Sequence, residues 1–408
     1  MTNQTSSVQS GPWQQLKASY GRVSETVRGW WSGATWYQRW AVYLLMIVAA
    51  ILLPYSGLGP VMTPGSDWPT VLFNPIGTYV LLAIGLNVVV GMAGLLDLGY
   101  VAFYAIGGYT MAVLGTKAGL DFWLILPAAI LATATSGVIL GAPTLRLRGD
   151  YLAIVTLGFG EIVRIVATNT DPIGGPNGIA GIPHPPSFLT NFTIFGVQPF
   201  VYEIVDARPY YYLVLALIVL AIVFVKRLER SRVGRAWVAI REDEDAAEIM
   251  GVPTFRFKLL SFAIGASIGG ASGVMFAAKQ ISITPIDFQF ILSATIVAAV
   301  VLGGSGNLPG VILGGFLIAW LPERFRVMPE WLNPVFGWLP DKDLADYRVM
   351  AFGAALVLMM IFRPEGLLPS RRRRAEFAEG SGGMGSMGAE VGGPGTAAAA
   401  EVSASDRA

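Results

Sequence analysis

The stretch FNPIGTYVLLAIGLNVVVGM, residues 73–92, decides the fold of this chain. It runs for 20 residues without a charged side chain. An α-helix needs about 20 predominantly apolar residues to cross the hydrocarbon core of a bilayer. The stretch therefore predicts a transmembrane helix, and the other apolar runs indicate how many more accompany it.

The composition of the whole chain agrees with this prediction. Hydrophobic residues make up 54% of the 408 residues, charged residues make up 13%, and the mean hydropathy is +0.58. Because soluble domains carry about 25% charged residues, we predict an all-α integral membrane protein. The 28 basic and 27 acidic residues nearly cancel. We expect no nucleic-acid partner and no cofactor.

The residues that usually bind metals are scarce. The chain has no cysteine, which excludes disulfides and thiolate metal sites, and one histidine, His184, in GIPHPPSF. Metal sites need clustered ligands. We therefore expect no metal site and interpret His184 as a surface loop residue.

Ten candidate spans follow from the apolar runs. The eighth and ninth are short and are separated by GGSGNLPG (303–310), so they are either two spans or partly re-entrant segments. The ten candidates are 41–57, 73–92, 97–115, 121–142, 151–168, 209–225, 258–277, 289–304, 309–321 and 346–362.

The basic residues orient these spans. They concentrate in 226–258, in the link at 143–150 and near the C-terminus, whereas the loops 58–72 and 169–208 contain one, Arg208. Cytoplasmic loops carry an excess of Lys and Arg. Ten spans with both termini cytoplasmic satisfy this rule, which predicts a plasma- or inner-membrane protein.

Three regions are then expected. Residues 1–39 form a cytoplasmic or interfacial tail, whose end GWWSGATWYQRW (29–40) is either a helix at the membrane surface or a linker. Residues 40–370 form the transmembrane domain, with 226–257 as a cytoplasmic loop. Residues 371–408 are too poor in apolar variety to pack, and we predict a disordered cytoplasmic tail.

The cytoplasmic loop contains a predicted helix over 242–250. Acidic side chains favour a helix N-terminus, alanine is a strong helix former, and a glycine followed by a proline ends the helix. So short a helix is marginal in water and has to pack against the rest of the chain or a partner. The residues concerned are Glu242, Asp243, Glu244, Asp245, Ala246, Ala247, Gly251 and Pro253.

Six motifs in order resemble the permeases of branched-chain amino-acid ABC importers of the LivM type. The resemblance covers about 73–369, and EDAAEIMG (244–251) is similar to the Glu-Ala-Ala…Gly loop that docks on the ATPase. The motifs are GLLDLGYVAFYAIGGYT (94–110), LRGDYLAIVTLGFGEIVRI (147–165), GGPNGI (174–179), GRAWVAIREDEDAAEIMGV (234–252), VVLGGSGNLPGVILGG (300–315) and MMIFRPEGLLP (359–369).

The resemblance implies an ABC importer permease fold and a set of partners. These are a second homologous permease chain, two ATPase subunits, an extracytoplasmic binding protein and the lipid bilayer. The sequence itself contains no P-loop, so ATP hydrolysis is expected on a separate chain and this chain is not expected to be an enzyme. The 242–251 segment is then the expected ATPase-coupling helix.

Glycine-rich breaks are candidates for the translocation pathway. VVVGMAGLLDLG (88–99) and VVLGGSGNLPG (300–310) interrupt apolar segments at matching places in two halves, which indicates an internal repeat and a pathway. Alternatively, the glycines let helices pack closely, and both interpretations can hold. The candidates are Gly91, Gly94, Gly303 and Gly304.

Polar residues inside spans are further candidates. Glu161 and Arg164 are spaced i, i+3 and can pair on one helix face near the bilayer midplane. They form either a self-neutralised pair facing the bundle or a gate. Asn87 is expected to hydrogen-bond between helices rather than to contact substrate.

The outer loop 168–186 is rich in Gly, Pro and Asn and is expected to be exposed. Its segment Gly174, Gly175, Pro176, Asn177 and Gly178 either helps to dock the binding protein or passively covers the helix ends.

The predicted function is import of branched-chain amino acids by an ABC permease. The nearest alternative is the same machine for urea or short amides. An ion-coupled secondary transporter would be expected to carry paired intramembrane acids, and a membrane enzyme a clustered His, Cys or acid site; neither is evident in the sequence.

Overall fold

The structure is a computed structural model that describes most of the chain. It covers residues 35–56, 59–63, 66–145, 150–187, 201–203 and 205–325, together with 353–354, 357 and 366–368. Contacts divide the chain into two units, Met1–Gly57 and Leu58–Ala408. In the first, α1 (Trp36–Leu52) starts at a capping box in which the Thr35 N–H donates to Gln38 Oε1 at 3.0 Å.

The second unit contains the remaining elements. Its helices are α2 (Gly59–Met62), α3 (Trp68–Val71), α4 (Thr78–Leu86), α5 (Val101–Thr116), α6 (Phe122–Thr144), α7 (Asp150–Asn169), α8 (Arg208–Glu229), α9 (Arg232–Glu242), α10 (Glu244–Ile249), α11 (Thr254–Gln280), α12 (Phe290–Gly303) and α13 (Leu308–Phe325). Two strands, β1 (Ile179–Ala180) and β2 (Ser282–Ile283), pair antiparallel with Ile179 opposite Ile283. A wider π-helical turn, Leu72–Gly77, joins α3 to α4, and a second, Asn87–Met92, extends α4, so that the three segments form one span, Trp68–Met92.

Helix α11 lies at the centre of this unit and packs on α4, α5 and α6. Small residues allow the close approach. A Cβ at Gly270 would lie 2.3 Å from Thr133 Oγ1, and one at Gly273 would lie 2.0 Å from the Tyr104 carbonyl. Close helix contact through glycine is how apolar helices associate where no water drives them together.

The helical content and apolar lengths agree with an all-α membrane protein. Six described segments have the length and composition to cross a membrane: Trp68–Met92, Phe122–Thr144, Tyr151–Asn169, Arg208–Glu229, Thr254–Gln280 and Pro285–Gly303. Helix α5, with 16 residues, is shorter. The predicted eighth and ninth spans form two helices, α12 and α13, which pack so closely that a Cβ at Gly303 would lie 2.2 Å from the Gly310 carbonyl. The predicted tenth span, 346–362, lies outside the described residues except at 353–354 and 357.

The described loops of the second unit gather at two ends. At one end β1 pairs with β2, Lys117 Nζ donates to the Pro172 carbonyl, and Trp320 Nε1 donates to the Met62 carbonyl at 3.0 Å. At the other end Arg241 contacts Gly91. These contacts join loops that are far apart in the sequence.

His184 lies in a loop as predicted, but it is half-buried rather than on the surface. Its Nδ1 is 2.5 Å from the Tyr210 hydroxyl and 3.2 Å from the Ala278 carbonyl. The ring therefore ties the loop to the ends of α8 and α11.

Candidate functional site

Helix α9 is anchored firmly to the start of α11. Ser231 caps its N-terminus, since its Oγ accepts from the N–H groups of Val233 and Gly234 at 3.1 and 3.4 Å. Trp237 is fully buried and its Nε1 donates to the Phe257 carbonyl at 2.6 Å. The charged loop therefore begins with a helix whose position is set by the membrane domain.

The prediction of one helix over 242–250 is wrong at its start. Glu242 is the last residue of α9, and Asp243 has extended backbone angles of φ −155° and ψ 111°. In that conformation Asp243 Oδ1 accepts the Ala246 N–H at 2.9 Å, so Asp243 is the N-cap of a separate helix, α10. The predicted stop is confirmed, because Gly251 has a φ of +85° and its N–H donates to the Glu248 carbonyl at 2.9 Å.

The acidic residues of α10 have different roles. Glu244 forms an ion pair with Lys258, whose side chain is 7% exposed, at the start of α11. Ala247 is buried, whereas Asp245 and Ala246 are exposed. Glu244 therefore holds α10 on the start of α11, and the opposite side of the helix is exposed.

Two large apolar side chains project from the end of α10. Ile249 is 85% exposed and Met250 is 83% exposed. The sequence-based site residues omitted both, although their position directly after Glu248 in a charged stretch is a recognisable signal. We call Glu248, Ile249 and Met250 the tip of α10. It presents two exposed apolar side chains beside an acidic one.

The two glycine-rich breaks meet at the same end of the molecule. Asn87 is buried, and its Oδ1 accepts the Gly306 N–H at 2.9 Å. The bond therefore joins the Trp68–Met92 span to the turn between α12 and α13, rather than to another helix as predicted. A Cβ at Gly91 would lie 2.0 Å from Asn87 Oδ1 and 2.6 Å from Gly306 N. Close packing therefore requires glycine at 91. Whether the breaks also line a pathway stays a prediction.

The remaining candidate glycines belong to the same region. Gly94 and Gly304 have positive φ values, +75° and +105°, and Gly304 is the C-cap of α12. A Cβ at Gly94 would lie 2.8 Å from the Cγ of Arg241, whose Nη1 donates to the Gly91 carbonyl. Sequence reasoning missed Arg241 as a site residue. We call Asn87, Gly91, Gly94, Arg241 and Gly306 the glycine junction.

Glu161 and Arg164 pair on α7 as predicted, with Arg164 Nε and Nη2 each 2.8 Å from Glu161 Oε2. Whether the pair is a self-neutralised pair facing the bundle or a gate stays a prediction. Both side chains are about one-third exposed, at 32% and 31%. A Cβ at Gly158, one turn before Glu161, would meet nothing within 4 Å. The pair therefore lies along an open face of α7.

The segment 174–178 forms a pair of tight turns. Gly174 and Gly178 have φ values of +97° and +73°, and a Cβ at Gly178 would lie 1.9 Å from the Ile283 carbonyl. These glycines are needed for the turns and for packing on β2. Gly175 is buried, whereas Pro176 and Asn177 are exposed, so these two are the residues that a partner could contact.

Comparisons with known proteins agree with the motif resemblance. Residues 71–362 match the family model described as branched-chain amino acid transport system, permease component. The high-affinity branched-chain amino acid transport system permease protein LivM of Salmonella typhimurium is 45% identical over 317 residues, covering 74% of this chain and 70% of that protein. LivM of Escherichia coli is also 45% identical, over 318 residues and the same shares.

A second kind of permease protein is more distantly similar. LivH of Escherichia coli is 24% identical over 315 residues, which cover 73% of this chain and 94% of LivH. No solved structure matches the chain.

Proposed function

Because the chain belongs to the family of branched-chain amino acid transport permeases, we propose that it is the membrane-spanning permease subunit of an ATP-driven importer. It moves leucine, isoleucine and valine into the cytoplasm, and two separate ATPase subunits hydrolyse ATP. The observation that carries the ATP-driven part is α10, a short helix fixed to the membrane domain on one side and exposed on the other.

The ATPase docks on the tip of α10. Ile249 and Met250 are more than four-fifths exposed and would bury their apolar surface in a groove of the ATPase. Glu248 beside them favours a basic rim on that groove. Asp243 and Glu244 act differently, since their side chains hold α10 in shape and in place.

Motion of the ATPase reaches the membrane helices through two fixed points. Trp237 hydrogen-bonds to the Phe257 carbonyl, and Glu244 pairs with Lys258. Both partners belong to the first turns of α11, the central helix. A displacement of α9 and α10 is therefore passed directly to the centre of the bundle.

The second permease chain packs on the open face of α7. Tyr151, Ile154 and Ile162 are 58–71% exposed on this face, as expected for lipid or protein contact. The pair Glu161–Arg164 favours protein, because a charged pair is costly against lipid tails. Gly158 leaves room for a helix to approach closely.

The extracytoplasmic binding protein contacts the outer loop at Pro176 and Asn177. Both are exposed on turns held rigid by the neighbouring glycines. A rigid exposed loop costs little conformational entropy on binding. This arrangement supports docking over passive cover.

The chain crosses the inner membrane ten times, with an internal repeat and both termini in the cytoplasm. The basic loop 226–257 and the tail 371–408 then lie on the ATPase side. Single introduced cysteines test this topology cleanly, because the natural chain has none. A cysteine at 380 that reacts with an impermeant reagent from outside intact cells would contradict it.

Reconstitution tests the function directly. The permease, its homologous partner chain, both ATPases and the binding protein are placed in proteoliposomes, with the binding protein on the side that receives substrate. We expect uptake of labelled leucine that requires both the loaded binding protein and ATP hydrolysis.

Two results would contradict the proposal. Uptake driven by an ion gradient without ATP would indicate a secondary transporter. Uptake of labelled urea or a short amide, but not of leucine, would leave the assignment as an ABC permease intact and show that the substrate is different.

A further inference from the structure

Arg241 links the docking element to the first glycine-rich break. It lies on the last turn of α9, two residues before the Asp243 N-cap. Its Nη1 donates to the Gly91 carbonyl, 150 residues earlier in the chain. Carbonyl groups at a helix C-terminus lack intrahelical hydrogen-bond donors and carry partial negative charge. A guanidinium at this position donates the hydrogen bond and compensates the charge.

The same side chain touches the second glycine-rich break. A Cβ at Gly306 would lie 2.8 Å from Arg241 Nη1 and 3.0 Å from the Gly91 carbonyl. The Gly306 N–H donates to Asn87 Oδ1 at 2.9 Å. The guanidinium therefore sits where the end of the Trp68–Met92 span meets the turn between α12 and α13.

The segment at Leu367 and Leu368 also hydrogen-bonds to the turn between α12 and α13 and to the end of α12. The Leu367 N–H donates to the Leu302 carbonyl at 2.8 Å, and Asn307 Nδ2 donates to the Leu368 carbonyl at 2.6 Å. This turn is consequently a structured element, and a change at Arg241 would be passed to α12 and α13 rather than absorbed by a loose loop.

The contact suits arginine for a physical reason. Gly94 lacks a side chain, and a Cβ there would lie 2.8 Å from the Arg241 Cγ, so the stem of Arg241 occupies that space. The planar guanidinium offers five donors in a fixed geometry, whereas lysine offers a single flexible ammonium. Glycine at 94 and 306 thus leaves room for the side chain of Arg241, and glycine at 91 lets the Gly306 backbone approach.

We propose that Arg241 is a positioning residue that latches the two glycine-rich breaks together at the ATPase-facing end of the membrane domain. When the ATPase displaces α10, the guanidinium withdraws and the ends of the Trp68–Met92 span and of α12–α13 separate. This rests on the proposed docking of the ATPase at α10.

The first test measures the latch without any ATPase. Spin labels on Met92→Cys and Pro309→Cys flank the glycine junction, and this chain has no native cysteine that competes for the label. Any cysteine of the partner chain is replaced by serine. Pulsed dipolar spectroscopy of the permease pair in nanodiscs should show longer and broader distances when Arg241→Ala is added. Distances identical to those of the labelled parent would overturn the latch, whatever the ATPase does.

The second test uses the whole complex in proteoliposomes. We expect Arg241→Ala to retain both ATPases on purification but to lower binding-protein-stimulated uptake about tenfold or more. Arg241→Lys should recover part of the uptake, because it keeps the charge but not the fork of donors. Uptake by Arg241→Ala equal to that of the natural chain would refute the proposal.

A matched control lies on the same helix. Arg235 is exposed and its Nη1 donates to the Arg230 carbonyl at 3.1 Å, so Arg235→Ala removes an arginine without touching the junction. It should leave distances and uptake unchanged. If Arg241→Ala assembles poorly, Arg241→Gln takes its place in both tests. Loss of ATPase from the purified complex in Ile249→Ala/Met250→Ala, but not in Arg241→Ala, separates docking from latching.

Discussion

Truncating the tip of α10 should release the ATPase. In the double variant Ile249→Ala/Met250→Ala, two side chains that are 85% and 83% exposed lose most of the surface available for burial. Fully burying an Ile or Met side chain contributes about 1.5–3 kcal/mol. Allowing for the retained methyl groups, the pair should lose roughly 3 kcal/mol, which is about a hundredfold in Kd.

The assay is binding of purified ATPase subunit to the permease pair in nanodiscs, followed by biolayer interferometry. The loss of affinity should persist at high salt, because burial of apolar surface is not screened as charge pairs are. Val205→Ala is the control, since Val205 is 88% exposed and follows the outer loop that contains Pro176.

The reasoning would be refuted by a Kd within about threefold of that of the natural chain, which corresponds to well under 1.4 kcal/mol. An equal loss in the Val205→Ala control would refute it too, because the effect would then not be specific to α10.

Three further outcomes are expected. Glu244→Ala should lower the free energy of unfolding by about 1–2 kcal/mol, because it leaves the buried Lys258 unpaired. The double variant Glu244→Ala/Lys258→Met should recover part of this loss. If thermal unfolding shows Glu244→Ala to be as stable as the natural chain, the ion pair does not anchor α10. Gly158→Leu should leave the isolated chain folded but reduce co-purification of the second permease chain, and an intact pair would move the interface away from α7. Asn177→Arg should lower stimulation of ATPase activity by the loaded binding protein while basal activity stays unchanged, and unaltered stimulation would assign the loop to passive cover.

The local patterns predicted the features that depend on neighbours in sequence. Apolar runs predicted long helices, the Gly251 stop predicted the end of α10, and the i, i+3 spacing of Glu161 and Arg164 predicted their ion pair. Each of these follows from helix geometry within one or two turns.

The boundary of the coupling helix shows where such patterns fail. A run of acids at 242–245 is compatible with one helix beginning at Glu242 or with a cap at Asp243. The structure has the cap at Asp243, because tertiary contacts fix the residues on both sides of it. Trp237 of α9 hydrogen-bonds to the Phe257 carbonyl, and Glu244 of α10 pairs with Lys258. The chain changes direction between these two anchors, and Asp243 is the residue that can cap the new helix.

The sequence by itself therefore determined the family, the all-α membrane architecture and the place of the charged segment between two apolar helices. Only the tertiary structure decided which acids hold α10, that Ile249 and Met250 project from it, and that Arg241 reaches Gly91 and Gly306. The physical reason is sequence separation. Asn87 and Gly306 are 219 residues apart, and a contact between them exists only once the glycines of both segments let the backbones approach.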